Sequence, residues 1–106
     1  MPTLNKGLIS QANVYQAFWT APVGSNPSID ISLCNVSDAP VTVSIAIHSG
    51  VPTIGDHIEY KFPLDPAGTE GNVLERTCVA ISPGMQVWLC CTSANAVAAH
   101  IHGFTE

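Results

Sequence analysis

His100 and His102 stand two residues apart near the end of the chain. On an extended strand that spacing puts both imidazoles on one face. A third donor from a neighbouring strand would then complete a metal site, and His48, Glu59 and Cys90 are the side chains of suitable type. Nothing in the local sequence fixes any of them beside the pair, so the expectation is no metal, with the two histidines as half-exposed strand residues. Cys78, Cys90 and Cys91 add sulfur donors, but their spacing matches neither a zinc knuckle nor a zinc ribbon. Cysteine as a small buried hydrophobe is the commoner role. The adjacent Cys90 and Cys91 should point to opposite faces of a strand. With no C-x-x-C pair and no sign of an oxidising compartment, Cys34, Cys78, Cys90 and Cys91 are expected as free thiols.

Covalent catalysis needs a Ser or Cys held beside a base that a third group orients. The chain has no G-x-S-x-G elbow and no Cys–His signature. Glu59, Glu70 and Glu75 are the carboxylates that could pair, but a domain this small has little depth for a cleft. The expectation is neither catalysis nor a cofactor. Asn35-Val36-Ser37 fits a glycosylation acceptor and is read as a chance match. Phe18, Trp19, Trp88 and Phe104 read as core or subunit contacts. Trp88 lies on the opposite phase from Val87 and Leu89, which aims it at a partner, and tryptophan is favoured at interface centres. Leu4, Leu8 and Ile9, together with His100 and His102, complete the expected contact set.

The elements that must position these residues are strands. Ile29, Ile31 and Leu33 alternate with Asp30, Ser32 and Cys34. The same period of two runs through Val41 to His48, His57 to Phe62, Met85 to Cys90 and Val97 to His102, with one apolar face in each. In the third of these runs Ile58, Tyr60 and Phe62 form the apolar set. Over 72–81 the phase changes near Arg76-Thr77, as a β-bulge would make it do. Val14 to Thr20 reads as an aromatic-rich strand. Turn residues separate the runs at 22–27, 37–40, 50–55 and 63–68, and Ser82-Pro83-Gly84 reads as a hairpin turn. No ten-residue helical pattern occurs. The pattern predicts an all-β fold: a single antiparallel β-sandwich of about seven strands over 13–106, of which a jelly roll is one form. Residues 1–12 lack a strong period and read as an N-terminal arm that orders on a neighbour.

Composition narrows the function. Of 106 residues only 10% are charged, against about 25% in ordinary domains. Lys6, Lys61 and Arg76 are all the cations, for a net charge of −5. Three cations cannot build a phosphate-binding surface, so nucleic acid is not expected as a partner. No apolar run approaches the roughly 18 residues of a membrane span, and Met1 to Gly7 lacks the apolar core of a secretory leader. A membrane partner is therefore not expected, and a reducing cytosol is. So few charges leave neutral sheet faces, and such faces associate.

Longer stretches carry a resemblance. Thr3-Leu4-Asn5-Lys6-Gly7-Leu8-Ile9-Ser10-Gln11-Ala12-Asn13, followed by an aromatic strand and Ala21-Pro22, resembles the opening of small virion structural proteins of tailed phages. Ile58-Glu59-Tyr60, Pro63-Leu64-Asp65-Pro66, Leu74-Glu75-Arg76-Thr77, Ser82-Pro83-Gly84-Met85-Gln86-Val87 and the closing Gly103-Phe104 are similar to the same group, so the likeness spans nearly the whole chain. The adjacent cysteines and the two C-terminal histidines depart from it. The resemblance implies a cofactor-free capsid decoration (cement) protein, or a tail, neck or baseplate accessory. It also implies other virion proteins, such as major capsid or tail proteins, as partners and a homo-oligomer such as a trimer, assembled in the host cytoplasm. A sandwich that grips a carbohydrate, peptide or receptor is the second reading. A metal enzyme of the cupin kind is the third, and its histidine spacing is wrong here.

Overall fold

Alternating apolar residues make a strand only if two such faces meet, and here they do. A computed structural model describes residues 3–24 and 27–104. It has eight strands: β1 (Thr3–Leu8), β2 (Gln16–Thr20), β3 (Ser28–Asn35), β4 (Val41–His48), β5 (His57–Leu64), β6 (Val73–Ala80), β7 (Gln86–Cys91) and β8 (Val97–Phe104). They form two four-stranded sheets, ordered β1-β8-β3-β6 and β2-β7-β4-β5, with every ladder antiparallel. This is the eight-stranded jelly-roll form of the β-sandwich. Ile29, Ile31, Leu33, Val97, Ala99 and Ile101 of the first sheet meet Val43, Ile45, Val87 and Leu89 of the second in one core.

The eighth strand is a correction. The expected arm 1–12 is instead largely part of the sheet: Thr3–Leu8 pairs with β8, and Ile9, 1% exposed, lies in the core. The backbone then crosses to the second sheet. Ile9 N–H donates to the carbonyl of Val97, Asn95 N–H donates to that of Ile9, and Asn13 N–H donates to that of Cys91. A weak period misled because β1 is an edge strand with an irregular register between Thr3 and Asn5. Met1 and Pro2 lie outside the described residues.

Two further expectations meet the structure differently. Ser82-Pro83-Gly84 does turn: Met85 N–H donates to the carbonyl of Ser82, with Pro83 leading and Gly84 at φ 80°, as a type II turn requires. It is not a hairpin, because β6 and β7 lie in different sheets. In β5 the apolar set fails. Two extra residues are inserted relative to β4, since Phe62 faces Val43, Glu59 faces Ile45 and His57 faces Ala46. Ile58 and Tyr60 are thereby thrown outward to 40% and 47% exposure, and only Phe62 of the three packs against the core. Glu59 takes the inward position and pairs with Arg76 of β6. The bulge expected near Arg76-Thr77 is present: Ile29 faces Val79 while Ile31 faces Arg76, and Cys78 sits at φ 56°.

Asn35, fully buried at the end of β3, ties the two sheets. Its Nδ2 donates to the carbonyls of Ala39 (2.9 Å) and Asp65 (3.0 Å), and its Oδ1 accepts from the N–H (2.9 Å) and hydroxyl (2.7 Å) of Ser37. Those bonds join the β3–β4 turn to the start of the β5–β6 connection. They also leave no accessible amide for a glycan, so the Asn35-Val36-Ser37 match has no structural basis for use. Asn35→Ala should lower the unfolding free energy by roughly 3 kcal/mol, since a buried partner is removed and its mates are orphaned. Urea denaturation followed by tryptophan fluorescence checks this, and an unchanged midpoint would refute it. Gly103→Ala should destabilise by about 2 kcal/mol. A Cβ there would collide with the backbone carbonyl oxygen of Ser28, and φ is 150°. Calorimetry would show the lowered Tm.

Candidate functional site

Each sheet has an outer face, and the sequence-derived candidates divide between them. His100 and His102 project from the outer face of the first sheet. Their rings are stacked, with centroids 5.6 Å apart and planes 19° from parallel. Beside them Asp30, Ser32, Glu75 and His102 line a shallow hollow of about 240 Å³. The donors proposed as third ligands are elsewhere: His48, Glu59 and Cys90 all belong to the second sheet. Among the described residues no group of three His, Cys, Asp or Glu side chains is placed to hold a metal. Cys90 and Cys91 do point to opposite faces, Cys91 into the core and Cys90 half-buried outside. Cys78 is exposed on the other sheet.

Trp88 occupies the outer face of the second sheet. Its cross-strand neighbours are Ala17 on β2 and Ala46 on β4, small residues that leave room for the indole. Its Nε1–H donates to the carbonyl of His48 at 3.2 Å. Trp88 is half-buried. With Trp88 on one side and His57 on the other, Ala46 is fully covered although it faces outward. Of the remaining expected contact residues, Leu8 is half exposed, Leu4 packs against the core, and Ile9 is removed from any interface by its burial. Phe18 and Trp19 also pack against the core, while the side chain of Phe104 lies outside what is described.

The more organised constellation is beside Trp88, and sequence reading did not assemble it. Tyr15 precedes β2, Ser44 is central in β4, and His57, Tyr60 and Lys61 come from the doubly bulged β5. Lys61 N–H donates to Ser44 Oγ at 3.0 Å. Tyr15 lines the same concavity as Ser44, and its hydroxyl lies 2.7 Å from His57 Nε2. His57 Nδ1 is 3.2 Å from the carbonyl of Ile54. A carbonyl can only accept, so Nδ1 carries the hydrogen and Nε2 accepts from Tyr15. The two bonds at His57 therefore run head to tail, from the Tyr15 hydroxyl through the imidazole to the Ile54 carbonyl, an arrangement in which each bond polarises the next. Burial pushes the Tyr15 phenol up from its ordinary value, with the Ser44 side chain opposing that shift.

Rings and a cation complete the edge of this face. His57 meets Tyr60 edge-on with centroids 4.8 Å apart, and Lys61 Nζ lies 5.3 Å from the Tyr60 ring centre. A concavity of about 210 Å³ opens there, floored by Tyr15, Ser44 and Cys90 and flanked by Thr42, Tyr60, Lys61 and Thr92. Burial, with Cys91 next to it, raises the Cys90 thiol above its ordinary value. The β4–β5 connection beside the face is stiffened by Asp56. Its carboxylate accepts from Thr53 N–H (2.7 Å) and Thr53 Oγ (3.0 Å) and stands 3.5 Å from His48 Nδ1. The Thr53 backbone bond is the main cause that holds the Asp56 carboxyl below the usual carboxylate range.

With the geometry in view, the chain can be set beside known proteins. No protein-family model matches it, and no curated protein matches it. Among solved structures, that of CBM35 from Paenibacillus barcinonensis is similar at a TM-score of 0.47 and 10% identity, over 99% of this chain and 92% of that one.

Thiol reactivity checks the site's geometry. Thiolate is the reactive form, so exposed Cys78 should be alkylated first by iodoacetamide at mildly alkaline pH. Cys90, its thiol held protonated by burial, should react slowly, and Cys91 only on unfolding. Peptide mass mapping over time reads the order, and early loss of Cys91 would contradict the described core.

Proposed function

We propose that this chain is a non-enzymatic structural subunit of a tailed-phage virion, in the manner of a capsid decoration protein. In this reading it stabilises the particle through repeated contacts with the major capsid or tail proteins and with copies of itself. A tail, neck or baseplate accessory is the same proposal at a different place in the particle. The resemblance of its sequence segments to small virion proteins supports the reading. The observation that carries it is physical: Val51, Ile54 and Ile58, 80%, 70% and 40% exposed, sit together in sequence on the β4–β5 connection and the start of edge strand β5. Here the acidic residue within β5, Glu59, is turned inward onto Arg76, which leaves aliphatic side chains outside.

Burying one such side chain against a neighbour contributes about 2 kcal/mol. A few per contact, multiplied over a closed ring, stabilise an assembly without chemistry. A closed assembly such as a trimer would cover the patch. Light scattering across a concentration series should give a mass that is a multiple of the 11.1 kDa chain. Ile54→Asp should weaken that association by at least about tenfold while leaving the circular dichroism spectrum unchanged. A protein that stays monomeric throughout and does not add to purified phage particles would overturn the proposal.

A further inference from the structure

We propose that the concavity on the outer face of the second sheet is a binding site for a single sugar ring of a glycan. This goes beyond the structural role and rests on different residues. The first argument is the lining. Thr42, Ser44, Thr92 and Tyr15, which all carry hydroxyls, line a space of about 210 Å³, below the roughly 300–1,000 Å³ of sites for larger ligands. A pyranose presents hydroxyls around its edge and an apolar face of C–H groups. It matches a hollow that combines fixed hydroxyls with an exposed ring, here Tyr60 at the rim.

The second argument is how firmly the polar groups are held. Lys61 N–H holds Ser44 Oγ, and the Tyr15 hydroxyl is held by donating to His57, so both oxygens are fixed in place with lone pairs left to accept. The hydroxyl of Thr92, already accepting from Thr42 N–H at 3.0 Å, keeps its own hydrogen to donate. Preorganised groups of this kind lose little freedom when a ligand arrives.

The third argument is Lys61. Its backbone is held at φ 52°, a conformation that a lysine adopts at a cost and that tends to persist where the surroundings over-determine it. The bulge places its ammonium against Tyr60 at the rim of the hollow, and no carboxylate among the described residues pairs with it. It is one of three cations in the chain. A donor so placed suits ring hydroxyls or a sugar carboxylate.

A peptide fits less well. Strand addition requires a regular edge, and β5 carries two extra residues that break its ladder.

The test is titration of the full chain with methyl glycosides of glucose, galactose, mannose, N-acetylglucosamine and glucuronic acid, read by amide chemical shifts, alongside a glycan array. Binding of at least one sugar should shift the resonances of Tyr15, Ser44, Tyr60 and Lys61. Tyr60→Ala and Lys61→Met should each weaken it by about tenfold or more. His102→Ala, on the opposite sheet, should leave it unchanged. None of these substitutions touches Val51, Ile54 or Ile58, so assembly measured by light scattering should persist in all three variants. No response to any of these sugars on either platform, or shifts that survive both Tyr60→Ala and Lys61→Met, would overturn the assignment.

Discussion

The fold depends on one constraint: the inner faces of the four central strands must be apolar at every second residue, and they must meet. Ile29, Ile31, Leu33, Val97, Ala99 and Ile101 on one side, and Val43, Ile45, Val87 and Leu89 on the other, are all 1% exposed or less. A slip of one residue in any of these strands would turn its whole apolar set to water. The ladders between central strands accordingly run without interruption, eight pairs between β3 and β8 and six between β4 and β7. The irregularities fall on the four edge strands: β1 near Leu4, β2 near Phe18, β5 twice and β6 near Cys78. Outside the centre, an extra residue disrupts pairing on one side only, and it twists the edge away from free association.

The sandwich also has to be closed where its sheets part. Along the side bounded by β5 and β6, the inward Glu59 and Arg76 form an ion pair between the two edge strands. Both are partly exposed, so the pair retains solvent around it and serves as a clasp more than as a source of stability. At one end Asn35 performs the tie with neutral hydrogen bonds, each of its polar atoms satisfied. Among the described residues no buried side-chain polar atom is left without a partner. A low-charge chain is therefore held by an apolar core with a few well-placed polar bonds, which leaves its outer faces available for contacts.

How much of this was legible follows from the same division. The central strands obey one period, so β3, β4, β7 and β8 and their buried sets could be read directly from alternation. The bulge in β6 was legible too, because Val73-Leu74 and the residues after Arg76 cannot share one phase. The double bulge in β5 was not. Ile58, Tyr60 and Phe62 alternate so regularly that the pattern argued for one buried face, and only the register against β4 shows two inserted residues. β1 was hidden for the opposite reason: a short edge strand with a single neighbouring strand needs little apolar patterning. Sheet order lies further from the sequence still. Ser82-Pro83-Gly84 specifies a turn by its backbone angles, but a turn does not say whether the next strand returns beside the last one or crosses to the facing sheet.

The outer site was missed because the feature that creates it is the feature that hides it. Tyr15, Ser44 and Lys61 are separated by 29 and 17 positions in a chain that offers no motif linking them. They meet because β5 bulges opposite Ser44, which frees Lys61 N–H from the ladder and gives it Ser44 Oγ instead. Tyr15, on the same concavity, is fixed in turn by His57. Had β5 been regular, Tyr60 would have faced inward with Phe62 and the outer face would have had neither a rim nor a cation. The bulged edge thus has two consequences. It exposes aliphatic side chains on the β4–β5 side, where a neighbouring subunit would cover them. It also raises an aromatic and a lysine over a row of hydroxyls, where a neighbour of that kind is not required.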